Sequence, residues 1–368
     1  MPSKQLDAPT PPSVFVGRIG YPNVYVGPLV AKHPNPEMLD LPEQWYGLPL
    51  EKIIEYRSSL FRGKERISVY SAKDPPRHLH ELQLSVMSKN SVDIEMSLKK
   101  SPKQEIFLSE IEATYGSSAE IDDLHLASNP VVPRVVDKVV EDELKAVDAL
   151  TLLYNKGMPV SKLSNILSVG ALGLEKKMVP TRWSITAVDD TIGKKLIEKV
   201  KTNPEISSYL LFESFYLGNR FEVLLTPGKW MFENIEIYDP GCIWVTGGEN
   251  PVYVRDWESY KGRKDYASNV EGAYYAARLA VLEWLIKEKR QASALVVREI
   301  TPEYWMPVGV WQIRENVRAA MKSKPVIFDS LDSVISAMDS RLNVKKEWIK
   351  KSELIARQRS REIWKKWV

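Results

Sequence analysis

Residues 209–237, YLLFESFYLGNRFEVLLTPGKWMFENIEI, decide the fold of this 368-residue chain. They contain three runs of aromatic and β-branched residues, the types that favour strands, at 209–215, 221–225 and 231–237. The two spacers between the runs contain Gly218 and Pro227-Gly228, which are typical turn residues. The segment therefore predicts an antiparallel meander of three strands.

The residues that follow this segment predict more sheet and several helices. Residues 243–245 and 252–254 could extend the sheet, and 295–300 is a further predicted strand. Small and apolar side chains line one face of 271–287, so a helix there can pack closely on the sheet. Residues 309–321 and 332–338 also have helical patterns. The predicted fold class is α+β: a mixed or antiparallel sheet in the C-terminal half packed with helices, helical elements in the middle, and a helical C-terminal tail.

Composition divides the chain into four predicted regions. Residues 1–13 are polar and rich in proline, which predicts a disordered leader. Residues 14–178 form an N-terminal α+β region that opens with short strands, and 179–342 form a core of sheet and helices. Residues 343–368 form a basic helical tail.

Several classes of protein are excluded by composition. No apolar run approaches the roughly 18 residues of a membrane span, and the N-terminus lacks an apolar signal core. We therefore expect a cytoplasmic protein without a membrane partner. The single cysteine, Cys242, excludes an internal disulfide and a cysteine-cluster zinc site. His78 and His80 form a His-x-His pair, but no Cys or HExxH pattern accompanies it. We expect solvated loop histidines and no metal site.

Candidate catalytic residues are dense in 179–190, VPTRWSITAVDD. If 182–188 is a strand, Arg182 and Ser184 lie on one face, and a guanidinium offers paired donors to a phosphate. Asp189 and Asp190 would follow at the junction with a helix, where carboxylates can hold Mg²⁺ or act as a base. The alternative is a structural role, in which the two aspartates cap the helix and form a salt bridge.

A second dense segment, 299–315, combines tryptophan, tyrosine, arginine and glutamate. Aromatic side chains interleaved with arginine could stack on single-stranded bases. The favoured interpretation is a core of aromatic side chains with buried ion pairs.

The C-terminal tail is set apart by its charge. Residues 341–368 carry a net charge of +7, whereas the whole chain carries +3 and the other 340 residues carry −4. Tryptophans are common interface anchors, and Trp364 and Trp367 share one side of a helical turn. We therefore expect the tail to dock on another macromolecule rather than to complete a core.

The last residues follow the spacing of a sliding-clamp-binding peptide, in which glutamine precedes an aliphatic residue by three positions and two aromatics by six and seven. With Arg361 in the glutamine position, Trp364 takes the aliphatic position and Trp367-Val368 take the paired ones. With Gln358 in the first position the match is poorer. A terminal helix packed on the body, with solvated cations, is the alternative.

Long segments of the chain resemble the archaeal Nre family of DNA repair proteins. They are VFVGRIGYPNVYVGPL (14–29), VPTRWSITAVDDTIG (179–193), YLGNRFEVLLTPGKWMFE (216–233), YASNVEGAYYAARLAVL (266–282) and 299–315. The resemblance implies a role in DNA damage repair and binding of the sliding clamp PCNA through a C-terminal peptide. Many family members carry an N-terminal four-cysteine motif, which is missing here, so zinc is not implied.

Three hypotheses about function follow. The first is a repair factor that binds PCNA through Arg361, Trp364, Trp367 and Val368, with DNA and other repair proteins as further partners. It needs no cofactor. The second is an enzyme acting on nucleic acid or a nucleotide, centred on Arg182, Ser184, Asp189 and Asp190. Mg²⁺ would serve phosphodiester chemistry, and Glu315 would complete an ADP-ribosyl-transfer variant. The third is a structural DNA-binding protein.

Overall fold

The computed structural model describes residues 4–102, 111, 116–142, 144–245, 248–344 and 346–365, and the side chains only as far as residue 362. Two compact units make up the chain. The first comprises residues 1–192 and 307–309, and the second comprises 193–306 and 310–368. The second unit begins inside a helix, whereas the predicted core region begins at residue 179. None of the helices in the described part of the chain is long and apolar enough to span a membrane.

The first unit is built on a six-stranded mixed sheet with the order β1-β5-β6-β4-β3-β2. The strands are β1 (Gln5–Thr10), β2 (Val14–Val16), β3 (Asn23–Val30), β4 (Phe61–Ser68), β5 (Val92–Leu98) and β6 (Ser118–Leu126). All neighbours are antiparallel except β4 and β6. Alternate residues of β5 are buried, which is the period of a strand with one face on a core. The core on this sheet includes Ile94, Met96 and Leu98.

The N-terminal leader predicted to be disordered is instead partly a strand, since β1 pairs with β5 along its length. Ala8 and Thr10 are buried. β1 is the edge strand of the sheet, so Pro9, which has no N–H to donate, is tolerated there. The prediction was therefore wrong for residues 5–10, because a proline-rich composition does not exclude an edge strand.

Helices accompany this sheet along the first half of the chain. They are α1 (Leu50–Ser59), α2 (Arg77–Met87), α3 (Arg134–Glu141), α4 (Ala146–Asn155), α5 (Val160–Ser168) and α6 (Thr181–Val200). Five of these begin directly after Pro49, Pro76, Pro133, Lys145 or Pro159. Proline fixes φ near the helix start without losing a helical hydrogen bond. The predicted helical elements in the middle of the chain are confirmed.

The second unit contains another six-stranded mixed sheet, with the order β10-β9-β11-β8-β7-β12. Its strands are β7 (Tyr209–Tyr216), β8 (Asn219–Thr226), β9 (Met231–Tyr238), β10 (Val252–Glu258), β11 (Ser293–Ile300) and β12 (Val326–Phe328). Leu217 and Gly218 join β7 to β8 with φ values of +51° and +65°, as a two-residue hairpin turn requires. β10 extends the sheet as predicted, but 243–245 forms a turn instead of a strand.

The predicted meander is wrong at its second connection. β11 lies between β8 and β9, antiparallel to the first and parallel to the second, so that Ser293 is opposite both Thr226 and Met231. All eight residues of β11 are buried. A strand buried on both faces belongs in the middle of a sheet covered on both sides. Burial of β11 between β8 and β9 therefore stabilises the fold more than a direct hairpin from β8 to β9 would.

Helices cover both faces of the second sheet. They are α7 (Gly272–Glu288), α8 (Trp311–Lys322), α9 (Leu331–Arg341), α10 (Glu347–Lys351) and α11 (Glu353–Lys365). α7 packs on one face, where Trp284 meets Phe212 and Tyr274 meets Phe232, with ring centroids 5.2 and 5.0 Å apart. α9, α10 and α11 pack on the other face around Ile235, Leu295 and Val297. The α+β class, the mixed sheet and the C-terminal helices are therefore confirmed.

Candidate functional site

The candidate catalytic segment lies at the start of a long helix. Because α6 runs from Thr181 to Val200, the strand predicted at 182–188 and the cap predicted at Asp189 and Asp190 are both wrong. The alternation of side chains that suggested a strand extends over only the seven residues 182–188. Along the helix one series of buried positions has the spacing of three or four residues that is typical of a helix: Thr181, Ser184, Val188 and Ile192. Thr186 and Asp189 are buried as well.

This helix does not bring the four candidate residues to one face. Ser184 is buried, and its hydroxyl donates to the Thr181 carbonyl oxygen at 3.0 Å. Asp189 is fully buried, and Arg182 and Asp190 are half-buried. At about 100° per residue, Arg182 and Asp189 fall on the same side two turns apart, with Ser184 on the opposite side. Catalytic roles for Arg182, Ser184, Asp189 and Asp190 stay predictions.

The histidine pair lies on a helix rather than in a loop. His78 belongs to α2, and its Nε2 is 2.8 Å from Asp123 Oδ1. Hydrogen bonding to His78 lowers the pKa of the Asp123 carboxyl. His80 is exposed on the same helix. In the ranges that the structure describes, no group of three or more His, Cys, Asp or Glu side chains could hold a metal ion.

Beside the start of α6, four side chains form a surface that we name the aromatic platform: Tyr21, Tyr70, Lys177 and Trp183. Tyr21, Tyr70 and Trp183 are 40%, 60% and 46% exposed. The ring centroids of Tyr21 and Trp183 are 5.4 Å apart. Lys177 Nζ lies 5.2 Å from the Tyr21 centroid and 4.7 Å from that of Tyr70. One ammonium therefore contacts two exposed rings, and a third ring continues the surface.

Backbone hydrogen bonds join the three segments that carry the platform. The turn between β2 and β3 is bonded to the 3-10 helix Val69–Ala72, since the Val69 N–H donates to the Pro22 carbonyl oxygen at 2.9 Å. That helix is bonded to the loop before α6, since the Met178 N–H donates to the Val69 carbonyl oxygen at 2.9 Å. The Val16 N–H donates to Thr181 Oγ1 at 2.9 Å. The fold itself thus fixes how the rings are arranged.

Two glycines permit this arrangement. Gly20 has φ +83°, and a Cβ there would lie 2.9 Å from the Asn23 carbonyl oxygen. Gly170 has φ +75°, and a Cβ there would lie 2.5 Å from Ala72 Cβ and 2.8 Å from Met178 N. A side chain at either position would be strained in conformation and would collide with its neighbours. Glycine is therefore required at position 20, where the turn closes on Asn23, and at position 170, where the chain approaches the 3-10 helix.

Cationic side chains lie in and beside the platform. Arg18 is exposed in the same turn as Tyr21, and the guanidinium of exposed Arg66 lies 3.2 Å from where a Cβ on Gly20 would be. Hydrogen bonding to Tyr21 raises the pKa of Lys177, so Lys177 is charged at neutral pH. Such a surface can stack on planar rings and attract an anion.

Sequence reasoning missed the platform. The sequence analysis assigned no role to Tyr21, Tyr70 or Lys177. A signal was present, because Ile19 and Tyr21 are large apolar residues in a turn, where small and polar residues are usual. Their association with Tyr70, Lys177 and Trp183, which are distant in sequence, depends on the tertiary structure.

The C-terminal tail completes the core of the second unit, contrary to expectation. Trp348, Leu354 and Ile355 are buried with the residues of the sheet. Ser352 precedes α11 and caps it, since its Oγ accepts from the Ile355 N–H at 3.1 Å. The fully buried Glu233 of β9 accepts from Ser352 Oγ and from the N–H groups of Glu353 and Leu354, at 2.7, 2.9 and 2.9 Å. The prediction relied on charge and overlooked the apolar face of these helices.

Further along α11, two side chains bind the turn after β8. Gln358 Nε2 donates to Thr226 Oγ1 at 2.6 Å, and Arg361 Nη1 donates to the Pro227 carbonyl oxygen at 2.8 Å. Arg361 is also 3.6 Å from Glu205. The side chain of Trp364 lies outside the described residues, as do Trp367 and Val368 in full.

Two profiles of known families match the chain. One, described as Archaeal Nre, N-terminal, matches residues 1–245, and the other, Archaeal Nre, C-terminal, matches residues 258–366. The chain belongs to the archaeal Nre family. The resemblance seen in the sequence is confirmed.

Curated relatives of this Nre chain are similar to it in sequence over most of their length. DNA repair protein NreA of Archaeoglobus fulgidus is 41% identical over 360 residues, which is 97% of this chain and 89% of the relative. DNA repair protein NreB of the same organism is 37% identical, over 96% of this chain and 90% of the relative. DNA repair protein NreA of Haloferax volcanii is 38% identical, over 85% and 77%. These names support a role in DNA repair. No solved structure matches the chain.

The aromatic segment 299–315 of this Nre chain is mostly core, as the favoured interpretation held. Tyr304 and Trp311 are buried, and only Trp305 among its large hydrophobic side chains is exposed, at 48%. Next to the segment, Arg298 donates to Glu236 at 2.6 Å and to Asn219 at 2.8 Å. Glu315 accepts from Arg318 at 2.6 Å. Glu315 belongs to the second unit and Arg182 and Ser184 to the first; the ADP-ribosyl-transfer variant stays a prediction.

Proposed function

We propose that this member of the Nre family is a DNA repair factor that binds the sliding clamp PCNA through its C-terminal peptide. Arg361, Trp364, Trp367 and Val368 are the proposed binding residues. The relatives named DNA repair proteins support the repair role. The spacing of the last eight residues supports the clamp as partner. On this proposal DNA and other repair proteins are further partners.

The single observation that carries this proposal is the spacing of residues 361–368, which begin at the last described contacts of α11. Among the side chains that the structure describes, the last bonded to the body are Arg361 and Glu362, whose Oε1 accepts from the Tyr209 hydroxyl at 2.7 Å. The two tryptophans of the peptide follow directly. On this proposal the clamp engages these two tryptophans while Leu354 and Ile355 at the start of α11 stay in the core. Arg361 is half-exposed, and contacts of exposed cations contribute little free energy, so its release costs little.

Clamp binding by a double variant, Trp364→Ala with Trp367→Ala, tests this proposal. Aromatic anchors at the centre of an interface often contribute several kcal/mol, so we expect the affinity for purified clamp to fall about 100-fold. Calorimetry or a pull-down with the full chain measures it. The matched control is Trp305→Ala, which removes an exposed tryptophan elsewhere and should leave the affinity unchanged. Equal clamp binding by the double variant and the wild type would exclude the proposed peptide.

The register of the peptide is tested by two further variants. Arg361→Gln restores the glutamine of a clamp-binding peptide, so the affinity should rise if Arg361 occupies that position. Gln358→Ala should leave clamp affinity unchanged, since Gln358 is buried against Thr226. The opposite pattern, with loss of affinity only in Gln358→Ala, would assign the register to Gln358.

A further inference from the structure

We infer that the aromatic platform binds the bases of single-stranded DNA by stacking. The exposed rings of Tyr21, Tyr70 and Trp183 supply the stacking surfaces, and Lys177 with its neighbouring arginines supplies attraction for the phosphates. The site lies in the first unit and is separate from the C-terminal peptide. The choice of DNA rather than RNA rests on the proposed role in repair.

The exposure of the rings is the first argument. Burial of apolar surface stabilises a fold by about 25 cal/mol per Å², and the three rings leave roughly half of their surface in water. They lie together rather than singly, since Lys177 contacts two rings and Trp183 lies beside one of them. Scattered exposed apolar residues need no explanation, whereas a continuous exposed patch marks an interaction site.

The chemistry of the patch favours a nucleic acid. Aromatic faces stack on bases regardless of sequence, and nearby cations follow the phosphate backbone. Here Lys177 is charged, and exposed Arg18 and Arg66 lie at the turn that carries Tyr21. The base faces of a duplex are covered by their neighbours, so exposed rings can stack only on unpaired bases. A single strand is therefore the occupant that matches both the rings and the charge.

The scaffold favours binding without large rearrangement. The hydrogen bonds from Val69 to Pro22 and from Met178 to Val69 join the segments that carry Tyr21, Tyr70 and Lys177. Gly20 and Gly170 allow these segments to approach closely. A surface that is ordered before binding avoids most of the entropy cost of ordering loops around a ligand.

Fluorescence anisotropy with a labelled single-stranded oligodeoxynucleotide of mixed sequence tests this inference on the full chain. Trp183→Ala and Tyr21→Ala should each weaken binding about 5- to 100-fold, the range found for loss of one stacking partner. Trp183→Phe should keep most of the affinity, because it keeps an aromatic face. Lys177→Gln should reduce the slope of log affinity against log salt by about one. Trp305→Ala is the control and should bind as the wild type does.

Competition experiments identify the ligand. Unlabelled single-stranded DNA should displace the probe at concentrations at least tenfold lower than the matching duplex or the matching RNA. The inference is overturned if the wild type does not bind, if duplex or RNA competes equally well, or if Trp183→Ala and Tyr21→Ala bind normally. A variant that loses its thermal transition is replaced by its phenylalanine counterpart, whose affinity should stay near that of the wild type.

The clamp experiment separates this inference from the proposed function. Variants of the platform should bind the clamp normally, and the double variant of Trp364 and Trp367 should bind the oligonucleotide normally. Failure of the platform test therefore leaves the clamp proposal standing, and failure of the clamp test leaves the platform standing.

Discussion

At the scale of residues, three fully buried glutamates on one face of the second sheet hold the C-terminal segment in place. Glu233 accepts from the first N–H groups of α11. Glu299 accepts from the N–H groups of Asn343 and Val344 at 2.7 and 3.0 Å. Glu222 pairs with Arg341 at 3.0 Å. A buried carboxylate is costly unless it is paired or hydrogen-bonded, so these contacts tie the C-terminal segment to the sheet.

Glu222 makes the stability of the protein depend on pH. Burial raises the pKa of Glu222 to about 8 from 4.5, although Arg341 opposes this shift. Between these values the folded protein holds a proton that the unfolded chain releases, so the free energy of unfolding falls as pH rises from 5 to 8. In the Glu222→Gln variant the side chain cannot ionise, so the fall in the free energy of unfolding should be smaller. Urea unfolding at pH 5 and at pH 8 measures this difference. Glu213→Gln removes the exposed partner of the same arginine and a smaller cause of the raised pKa of Glu222, so it should weaken the dependence less. An unchanged dependence in Glu222→Gln would contradict the prediction.

Trp348 tests the packing of the tail. Its side chain is 0% exposed within the core, and its Nε1 donates to Asp339 at 3.2 Å. Trp348→Ala should lower the free energy of unfolding by about 3–5 kcal/mol, as large-to-small core substitutions do. Trp305→Ala should change it by less than about 0.5 kcal/mol. Urea unfolding followed by circular dichroism measures both, and a similar small loss in the two variants would show that Trp348 is not a core residue.

At the scale of elements, α11 belongs to the core at its start, and the proposed partner peptide begins at its end. Leu354 and Ile355 pack on the sheet, while Gln358 and Arg361 bind the turn after β8. One helix therefore contributes to stability through its first turns. On the proposal above, its last residues belong to the peptide that binds the clamp.

Two truncations test this division of α11. Removal of residues 353–368 takes two buried aliphatic side chains from the core and leaves Glu233 without two backbone donors. Each lost aliphatic side chain costs about 2–5 kcal/mol, so the thermal transition of the second unit should fall sharply or disappear. Removal of residues 363–368 keeps the described contacts of Glu362 and should leave the transition unchanged. Equal melting temperatures for both truncations would argue against the assignment.

Helices α7 and α6 show when the pattern of side chains within a segment predicts its secondary structure and when it does not. α7 matched its prediction within a residue at each end, because most of its seventeen residues are small or apolar and no turn residue interrupts them. The strand predicted at 182–188 became the first turns of α6. Seven residues of alternation are compatible with either period, and the choice depends on what the segment packs against.

At the scale of the whole molecule, the two proposed partner sites lie in different units. The platform belongs to the first unit and the peptide to the second. A repair factor with this organisation could bind the clamp and a single strand through independent surfaces. The basic charge of the C-terminal segment led us to expect docking on another macromolecule, whereas its first residues pack on the protein's own sheet, where Arg341 pairs with Glu222.

The sequence by itself determined the α+β class, helix α7, the hairpin between β7 and β8 and membership of the Nre family, because these depend on short-range patterns and on long motifs. Only the tertiary structure decided that β11 separates β8 from β9, that 1–13 includes an edge strand, that the tail enters the core, and that Tyr21, Tyr70, Lys177 and Trp183 meet. Each of these outcomes depends on which distant segments exclude water together. Local propensities, which differ by less than about 1 kcal/mol per residue, do not specify that choice.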